Sequence, residues 1–219
     1  VTIPASTTVG LNFGSGTDLA QLAMQSAVSN RVALRTTHTS FGDNNPFIIY
    51  QPSSAGVQND ALVVQAAGQI NMSKQPSFRA GLSGNTTVNT NAYIVFNDTG
   101  ATWHHNIGNH YSTSNGRFTA PVDGVYNFNI CVIFGPFSGT NNVFMGDAFL
   151  FYINGGYACY SGRRANYVNG TTGQQYYVDH ISCRFYMNAT DYIQVRNGSP
   201  WTGIHGNTYY TWFAGTFLG

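Results

Sequence analysis

From Phe78 to the end of the chain, short runs of strand-forming residues alternate with clusters of Gly, Asn, Pro and Thr. The runs recur about every eight to twelve residues, which is the spacing of a β-sandwich and leaves no room for long helices. The clearest runs are residues 92–96, 124–134, 143–153, 175–185, 192–195 and 209–218. Composition agrees, because the chain contains no glutamate and one lysine, whereas Tyr, Phe, Val and Thr are abundant. The sequence therefore predicts an all-β fold, with a β-sandwich head over residues 78–219.

The first 56 residues follow a different pattern and predict a small knob-like α+β module. Thr17 is a suitable N-cap for a short helix that would end near Asn30. The residues that fall at three-to-four spacing along this predicted helix are Leu19, Leu22, Ala23 and Ser26. Residues 31–37 and 47–50 then predict a hairpin. A helix that fills the core is favoured over one that lies on a binding face.

Residues 57–77 predict a β connector between the module and the head. Residues 61–65 and 70–72 read as two short strands broken by Gly68. A single copy of such a stretch buries little apolar surface. Three copies wound about an axis would bury more, so the connector favours a trimer.

The segment from Asn106 to Phe128 resembles the gC1q head, the jelly roll of complement and tumour-necrosis-factor type proteins. The resemblance rests on Asn106, Tyr111, Phe118 and the run Gly-Val-Tyr-Asn-Phe at 124–128. Residues 187–195 and 213–218 are similar to the closing strands of that family, with Thr190 in place of a glycine. The resemblance implies a jelly roll that assembles as a homotrimer.

Residues 109–122 and the entry through Gln75-Pro76 are also similar to the heads of tail-fibre proteins of marine and cyanobacterial phages. Residues 18–51 more weakly resemble the knob modules of tail fibres and pyocin fibres. This second resemblance implies a virion protein that is extracellular during attachment and binds a host glycan, lipopolysaccharide or other outer-membrane receptor. The chain begins at Val1 without methionine, which suggests a longer protein whose N-terminal part binds other tail proteins.

Fifteen Phe and fourteen Tyr exceed what one sandwich needs for its core. Burial of the excess between subunits would stabilise a homotrimer by roughly 25 cal/mol per Å² of apolar area, while solvent-exposed tyrosine is the alternative. Only 8% of residues are charged, so the polar surface is largely neutral and suited to hydrogen bonds with sugar hydroxyls.

Two segments combine amide, cationic and aromatic side chains and are the predicted ligand-binding sites. The candidate residues are Arg163, Arg164, Asn166, Tyr167, Trp201, His205 and Tyr209. An inter-subunit salt link or plain solvation is the favoured alternative for the two arginines, and Trp201 is equally compatible with the core.

Several other functions find little support in the sequence. A formal charge of +1 supplies no electrostatic footprint for nucleic acid, and no apolar run is long enough to insert in a membrane. Scattered Asp residues without paired carboxylates argue against an enzyme, although a polysaccharide depolymerase built between subunits is a minor alternative. The sequence indicates no cofactor.

His104, His105 and His110 match no metal motif within one chain, so loop or interface imidazoles are favoured over an axial metal cage. Cys131, Cys159 and Cys183 are predicted to be buried free thiols, with one bridge between Cys159 and Cys183 as the alternative.

The main rival to a phage fibre is a secreted gC1q-type lectin or signalling head of a cellular organism. Such a head would follow a collagen-like stalk or coiled-coil heptads, and residues 1–77 contain neither pattern.

Overall fold

The computed structural model describes residues 20–24, 32–36, 47–52, 58–64, 69–137, 149–160 and 175–219. The chain divides into two compact units, Val1–Lys74 and Gln75–Gly219. Every regular element in the described ranges is a β-strand, which confirms the predicted all-β class. These ranges contain no helix that is long and apolar enough to cross a membrane.

The first unit contains one antiparallel sheet of five strands in sequential order. Its strands are β1 (Ala20–Met24), β2 (Val32–Thr36), β3 (Phe47–Pro52), β4 (Gln58–Val64) and β5 (Ile70–Asn71). The predicted hairpin is confirmed, because Leu34 of β2 pairs with Ile49 of β3. The division of this region into a knob at 1–56 and a connector at 57–77 stays a prediction, although β4 pairs with β3 in the same sheet.

The predicted helix is wrong where the structure describes it, since residues 20–24 form strand β1. Leu22 pairs with Leu34 in an antiparallel ladder. Isolated helices of about this length are marginal in water, so a weak helical pattern yields to the hydrogen bonds that a neighbouring strand offers. The predicted cap Thr17, together with Leu19, Ser26 and Asn30, lies outside the described residues.

The second unit is a sandwich of two antiparallel sheets. Its strands are β6 (Ser77–Gly81), β7 (Thr86–Thr87), β8 (His105–Ile107), β9 (Tyr111–Ser112), β10 (Arg117–Thr119), β11 (Gly124–Phe137), β12 (Phe149–Ile153), β13 (Gly156–Tyr160), β14 (Gln175–Met187), β15 (Tyr192–Asn197), β16 (Gly203–Ile204) and β17 (Trp212–Phe217). The smaller sheet has the order β13-β12-β15-β10-β9. The larger sheet is centred on β11, which pairs with β14 on one side and with β17 and β16 on the other, and it continues through β6 to β8.

The core between the sheets is largely aromatic. Along β11 the even-numbered residues from Tyr126 to Phe134 are buried, while their odd-numbered neighbours are less so, as the period of a strand requires. Phe134 of the larger sheet stacks on Phe149 of the smaller one, with ring centroids 4.9 Å apart. Phe118 of the smaller sheet meets Phe128 of the larger one edge to face, with ring centroids 5.5 Å apart. The predicted sandwich is therefore confirmed.

The residues that resemble the gC1q signature have identifiable structural tasks. The Asn106 side chain closes a turn, because its Nδ2 donates to the Tyr111 carbonyl at 2.8 Å and its Oδ1 accepts from the Tyr111 N–H at 3.1 Å. This turn directs the Tyr111 ring into the core, where it stacks on Phe78. Gly124 has a φ of 148°, and a Cβ there would lie 2.6 Å from the Phe217 ring. Only glycine fits both conditions.

One predicted strand differs in detail, since residues 92–96 form no regular strand. Tyr93 makes an isolated bridge to Arg196, and the Ile94 N–H donates to the Val195 carbonyl. The segment still follows β15, and Ile94 and Phe96 are buried. The alternation of apolar residues in this segment therefore predicted which side chains are buried, but the segment does not form a regular β-ladder.

Candidate ligand-binding surface

The hairpin of β12 and β13 places tyrosines on the outer face of the smaller sheet. On β12, Phe149 and Phe151 face the core, so the intervening Leu150 and the following Tyr152 face outward. A bulge in the β12–β13 pairing sets Tyr157 opposite Tyr152 and Tyr160 opposite Leu150. Residues that are opposite in an antiparallel pair share a face, so both β13 tyrosines lie outside.

Four aromatic rings form a continuous series on this face, here called the tyrosine row. Its members are Tyr93, Tyr152, Tyr157 and Tyr160. Neighbouring centroids are 6.0, 6.1 and 6.2 Å apart in that order. Tyr157 and Tyr160 are 55% and 50% exposed. The row therefore presents ring faces to solvent and is not part of the sandwich core.

Arg196 of β15 joins the tyrosine row and is held in place by it. Its guanidinium carbon lies 4.9 Å from the centroid of the Tyr152 ring. Its Nη1 donates to the Tyr152 hydroxyl at 2.6 Å, and its Nε donates to the Asn91 carbonyl at 2.6 Å. In the described part of the chain no carboxylate forms an ion pair with Arg196. A fixed positive charge thus lies beside exposed aromatic rings.

Four of the predicted ligand residues, Arg163, Arg164, Asn166 and Tyr167, lie outside the described residues, and their role stays a prediction. The chain nevertheless connects them to the tyrosine row. Tyr160 is the last residue of β13, and the predicted segment begins at the following position.

Trp201 packs against the core, as the alternative prediction for this residue stated. Its ring meets Phe134 of the core edge to face, with centroids 6.0 Å apart. The backbone N–H of Trp201 donates to Ser199 Oγ, and its backbone carbonyl accepts from the Asn197 side chain. Trp201 is half-buried and packs against the core.

His205 and Tyr209, by contrast, lie near a second aromatic group. The His205 ring lies 4.9 Å from the Tyr176 ring and stacks on Tyr210 at 5.9 Å. Its Nδ1 has no hydrogen-bond partner. Tyr209 is exposed, and its N–H donates to Asn207 Oδ1. Trp201, His205 and Tyr209 thus have separate neighbours, and none of the three belongs to the tyrosine row.

Sequence reasoning missed the tyrosine row for a specific reason. Tyr157 and Tyr160 are three residues apart, so regular alternation places them on opposite faces of a strand. The bulge at Ala158 shifts the alternation by one residue, so both tyrosines lie on the same face of the strand. The available signal was the Asn154-Gly155 turn, whose positive φ values of 51° and 77° are those of a tight hairpin.

The three histidines considered as metal ligands have separate local contacts. His104 Nε2 is hydrogen-bonded to the Thr208 carbonyl at 3.0 Å, and a ring nitrogen of His105 to the Ser77 hydroxyl at 2.8 Å. Burial, with the charge of Arg79, lowers the pKa of His105, and burial alone lowers the pKa of His110. Within the described ranges no three His, Cys, Asp or Glu side chains are grouped to hold a metal ion. An axial site built from several copies of the chain stays untested.

Three aspartates in the described ranges are engaged in turns. Asp98 accepts from the Gly100 N–H, Asp123 from the Ala189 N–H, and Asp191 from Asn154 and Asn188. These hydrogen bonds lower the pKa of Asp191, with the bond from Asn154 contributing most. The carboxylates thus act as structural acceptors.

Part of the sandwich is similar to a known protein family. The family model of the C1q domain matches residues 77–148, which include the signature segment from Asn106 to Phe128. No curated protein sequence matched the chain.

Several solved structures are similar to part of the chain. The globular domain of zebrafish complement 1qA protein is 13% identical and covers 66% of this chain and 98% of its own, with a TM-score of 0.42. The Eiger TNF of S. frugiperda is 11% identical and covers 66% of this chain and 94% of its own, with a TM-score of 0.46. Rabbit GITRL is 13% identical over 48% of this chain and 73% of its own, with a TM-score of 0.33.

Proposed function

We propose that this chain is the receptor-binding end of a trimeric phage-type attachment fibre and that its tyrosine row binds a host-surface glycan. The row, with Arg196 beside it, is the single observation that carries the proposal. Exposed tyrosine faces pack against the CH groups of sugar rings, and their hydroxyls form hydrogen bonds. The guanidinium donates to sugar hydroxyls or to the carboxylates of acidic sugars.

The low overall charge supports a glycan as the ligand. A surface with few charged residues experiences little long-range repulsion from an anionic cell envelope. Arg196 then acts at short range, where its lack of an acidic partner in the described residues leaves its charge uncompensated. We infer that the preferred sugars carry hydroxyl-rich or anionic groups close to an apolar ring face.

Strand β14 supports assembly into a homotrimer. In the described part of the chain it pairs on one side only, with β11. Its outward side chains are exposed and form what is here called the edge row: Tyr176, Val178, His180, Ser182, Arg184 and Tyr186. A long edge strand with exposed apolar residues is prone to aggregate unless it is covered. Further copies of this chain are the occupants we propose, because the jelly rolls that the sequence resembles usually form trimers.

Attachment of this kind requires no chemical step. The fibre would be carried on the virion and would meet the receptor outside the cell, with other tail proteins bound to the N-terminal part of the protein. A secreted lectin or signalling head is the competing assignment. Immunogold labelling of purified virions distinguishes them, since labelled tail tips support the fibre and unlabelled virions contradict it.

The ligand is tested with the purified trimer on an array of bacterial surface polysaccharides. We expect Tyr157→Ala to lower affinity about tenfold, because it removes an exposed ring from the centre of the row. Trp103→Ala is the matched control, since Trp103 is 67% exposed and outside the row. Tyr209→Ala tests the site predicted from the sequence.

Two results would contradict the proposal. Unchanged binding by an assembled Tyr157→Ala trimer excludes the tyrosine row, and absence of binding to any polysaccharide excludes the glycan. Release of reducing sugar from a bound polysaccharide would instead show a depolymerase.

A further inference from the structure

Cys159 lies on β13, an edge strand of the smaller sheet, and Cys183 lies on β14, an edge strand of the larger sheet. In the described ranges β13 pairs only with β12, and β14 pairs only with β11. Cys183 lies on the face of β14 that includes the buried Met187, and both cysteines are half-buried and pack against the core. The two strands follow each other in the chain but belong to different sheets.

The pairing registers place the two cysteines opposite each other across the core. Cys159 is the partner of Phe151 in the smaller sheet, and Cys183 is the partner of Phe128 in the larger sheet. The rings of Phe151 and Phe128 are 6.4 Å apart. The Phe151 ring also meets Phe185, which is two residues beyond Cys183, at 6.0 Å. The Cys159 side chain raises the pKa of the Cys183 thiol, as expected of neighbouring thiols.

Cys131 does not share this position. It alternates with the core residues Ile130 and Val132 on β11 and therefore faces outward. Its neighbours in the ladders are His180 and Trp212. Of the three cysteines, only Cys159 and Cys183 approach each other from opposing sheets.

We propose that Cys159 and Cys183 form a disulfide bond that joins the two sheets at the edge of the sandwich. All three cysteines are free thiols in the structure, so the bond is a modification of this state. The oxidant is a low-molecular-weight disulfide such as oxidised glutathione. The net reaction converts two protein thiols and one small disulfide into one protein disulfide and two small thiols.

The order of the exchange follows from the environments of the thiols. Burial, together with the hydrogen bond and charge of Cys159, raises the pKa of the Cys183 thiol to about 12. The Cys183 thiol is therefore the poorer first nucleophile, so Cys159 loses its proton to solvent, attacks the small disulfide and releases one small thiolate. Cys183 then gives its proton to that thiolate and attacks the Cys159 sulfur, which releases the second small thiolate to take a proton from solvent.

The bond would close the chain segment between β13 and β14 at its base. This segment contains Arg163, Arg164, Asn166 and Tyr167, and it begins immediately after Tyr160 of the tyrosine row. The inference does not depend on the proposed function. Where that function holds, the bond fixes one end of the binding surface to the other sheet.

The test is peptide mapping of the folded full chain after equilibration with oxidised glutathione and alkylation of the remaining thiols. We expect one peptide pair that is linked through Cys159 and Cys183 and has lost two hydrogens, while Cys131 is alkylated. Oxidation should raise the melting temperature by about 5 to 10 °C, and a reducing agent should reverse the shift.

Variants separate this bond from other pairings. Cys159→Ser and Cys183→Ser should each abolish the shift in melting temperature, whereas Cys131→Ser should retain it. The proposal is overturned if Cys159 and Cys183 both remain alkylatable in the oxidised wild-type chain, or if either one links to Cys131 or to a second chain. Because peptide mapping uses the wild-type protein, a serine variant that fails to fold does not affect this test.

Discussion

At the scale of single residues, Thr190 has a strained backbone conformation in the turn before β15. Its φ is 76°, in the left-handed region that a β-branched residue rarely adopts. It occupies the position where the resembling family has glycine. The turn is held in place by two backbone hydrogen bonds, from the Thr190 N–H to the Ala120 carbonyl and from the Ala120 N–H to the Asp191 carbonyl. Departure from the family pattern therefore has a physical cost here.

Replacement of Thr190 by glycine should stabilise the sandwich by about 1 kcal/mol. Relief of backbone strain contributes about 1 to 3 kcal/mol, and the greater freedom of glycine in the unfolded chain offsets part of it. Urea denaturation measures the difference. Asn109→Gly is the matched control, because asparagine tolerates its φ of 58° and the change should stay within about 0.5 kcal/mol. A destabilised Thr190→Gly chain would show that the threonine side chain makes a necessary contact.

At the scale of elements, the end of β15 is fastened to two loops by one buried side chain. Asn197 Nδ2 donates to the carbonyls of Val88 and Trp201, each at 2.8 Å. Its Oδ1 accepts from the Ser199 N–H at 2.9 Å. Asn197 is fully buried, so water cannot replace these bonds. The irregular segment near residue 92 and the loop that carries Trp201 are thereby positioned against the same strand.

Truncation of Asn197 to alanine should destabilise the sandwich by about 3 kcal/mol. The change leaves two carbonyls and one N–H without partners, and each unsatisfied buried group costs about 1 to 3 kcal/mol before relaxation. Thermal unfolding of the variant gives the comparison. Asn89→Ala, at an exposed position in the same region, should change stability by less than about 0.5 kcal/mol. Equal stability of the two variants would mean that solvent reaches the Asn197 cavity.

At the scale of the whole molecule, we assign ligand binding to one outer face of the sandwich and assembly to the other. The smaller sheet presents the tyrosine row, and the larger sheet presents the edge row. Val178 and Tyr186 of the edge row are 48% and 67% exposed. Several tyrosines of the described residues are accordingly on the surface, where assembly or ligand binding can cover them.

Val178→Lys should convert the proposed trimer into monomers in sedimentation equilibrium. A charge at the centre of the edge row would be buried without a partner in the assembled state, which costs several kcal/mol per copy. Tyr157→Ala, on the other sheet, should remain trimeric. The trimer is contradicted if the wild-type chain sediments as a well-folded monomer. The location of the interface is contradicted if Val178→Lys remains trimeric.

The sequence alone determined the features that depend on local spacing. Asn106 and Tyr111 are close enough in the chain for one side chain to close their turn, and alternation along residues 124–134 fixed which side of β11 is buried. The weak helical pattern around Leu22 failed because strand pairing, a contact with distant residues, supplied better hydrogen bonds. The tyrosine row depended on the same kind of contact, since a bulge relative to β12 moved Tyr157 and Tyr160 to one face. Tertiary pairing decided these features because a strand's register and its partner are properties of two segments, and the sequence of one segment does not contain them.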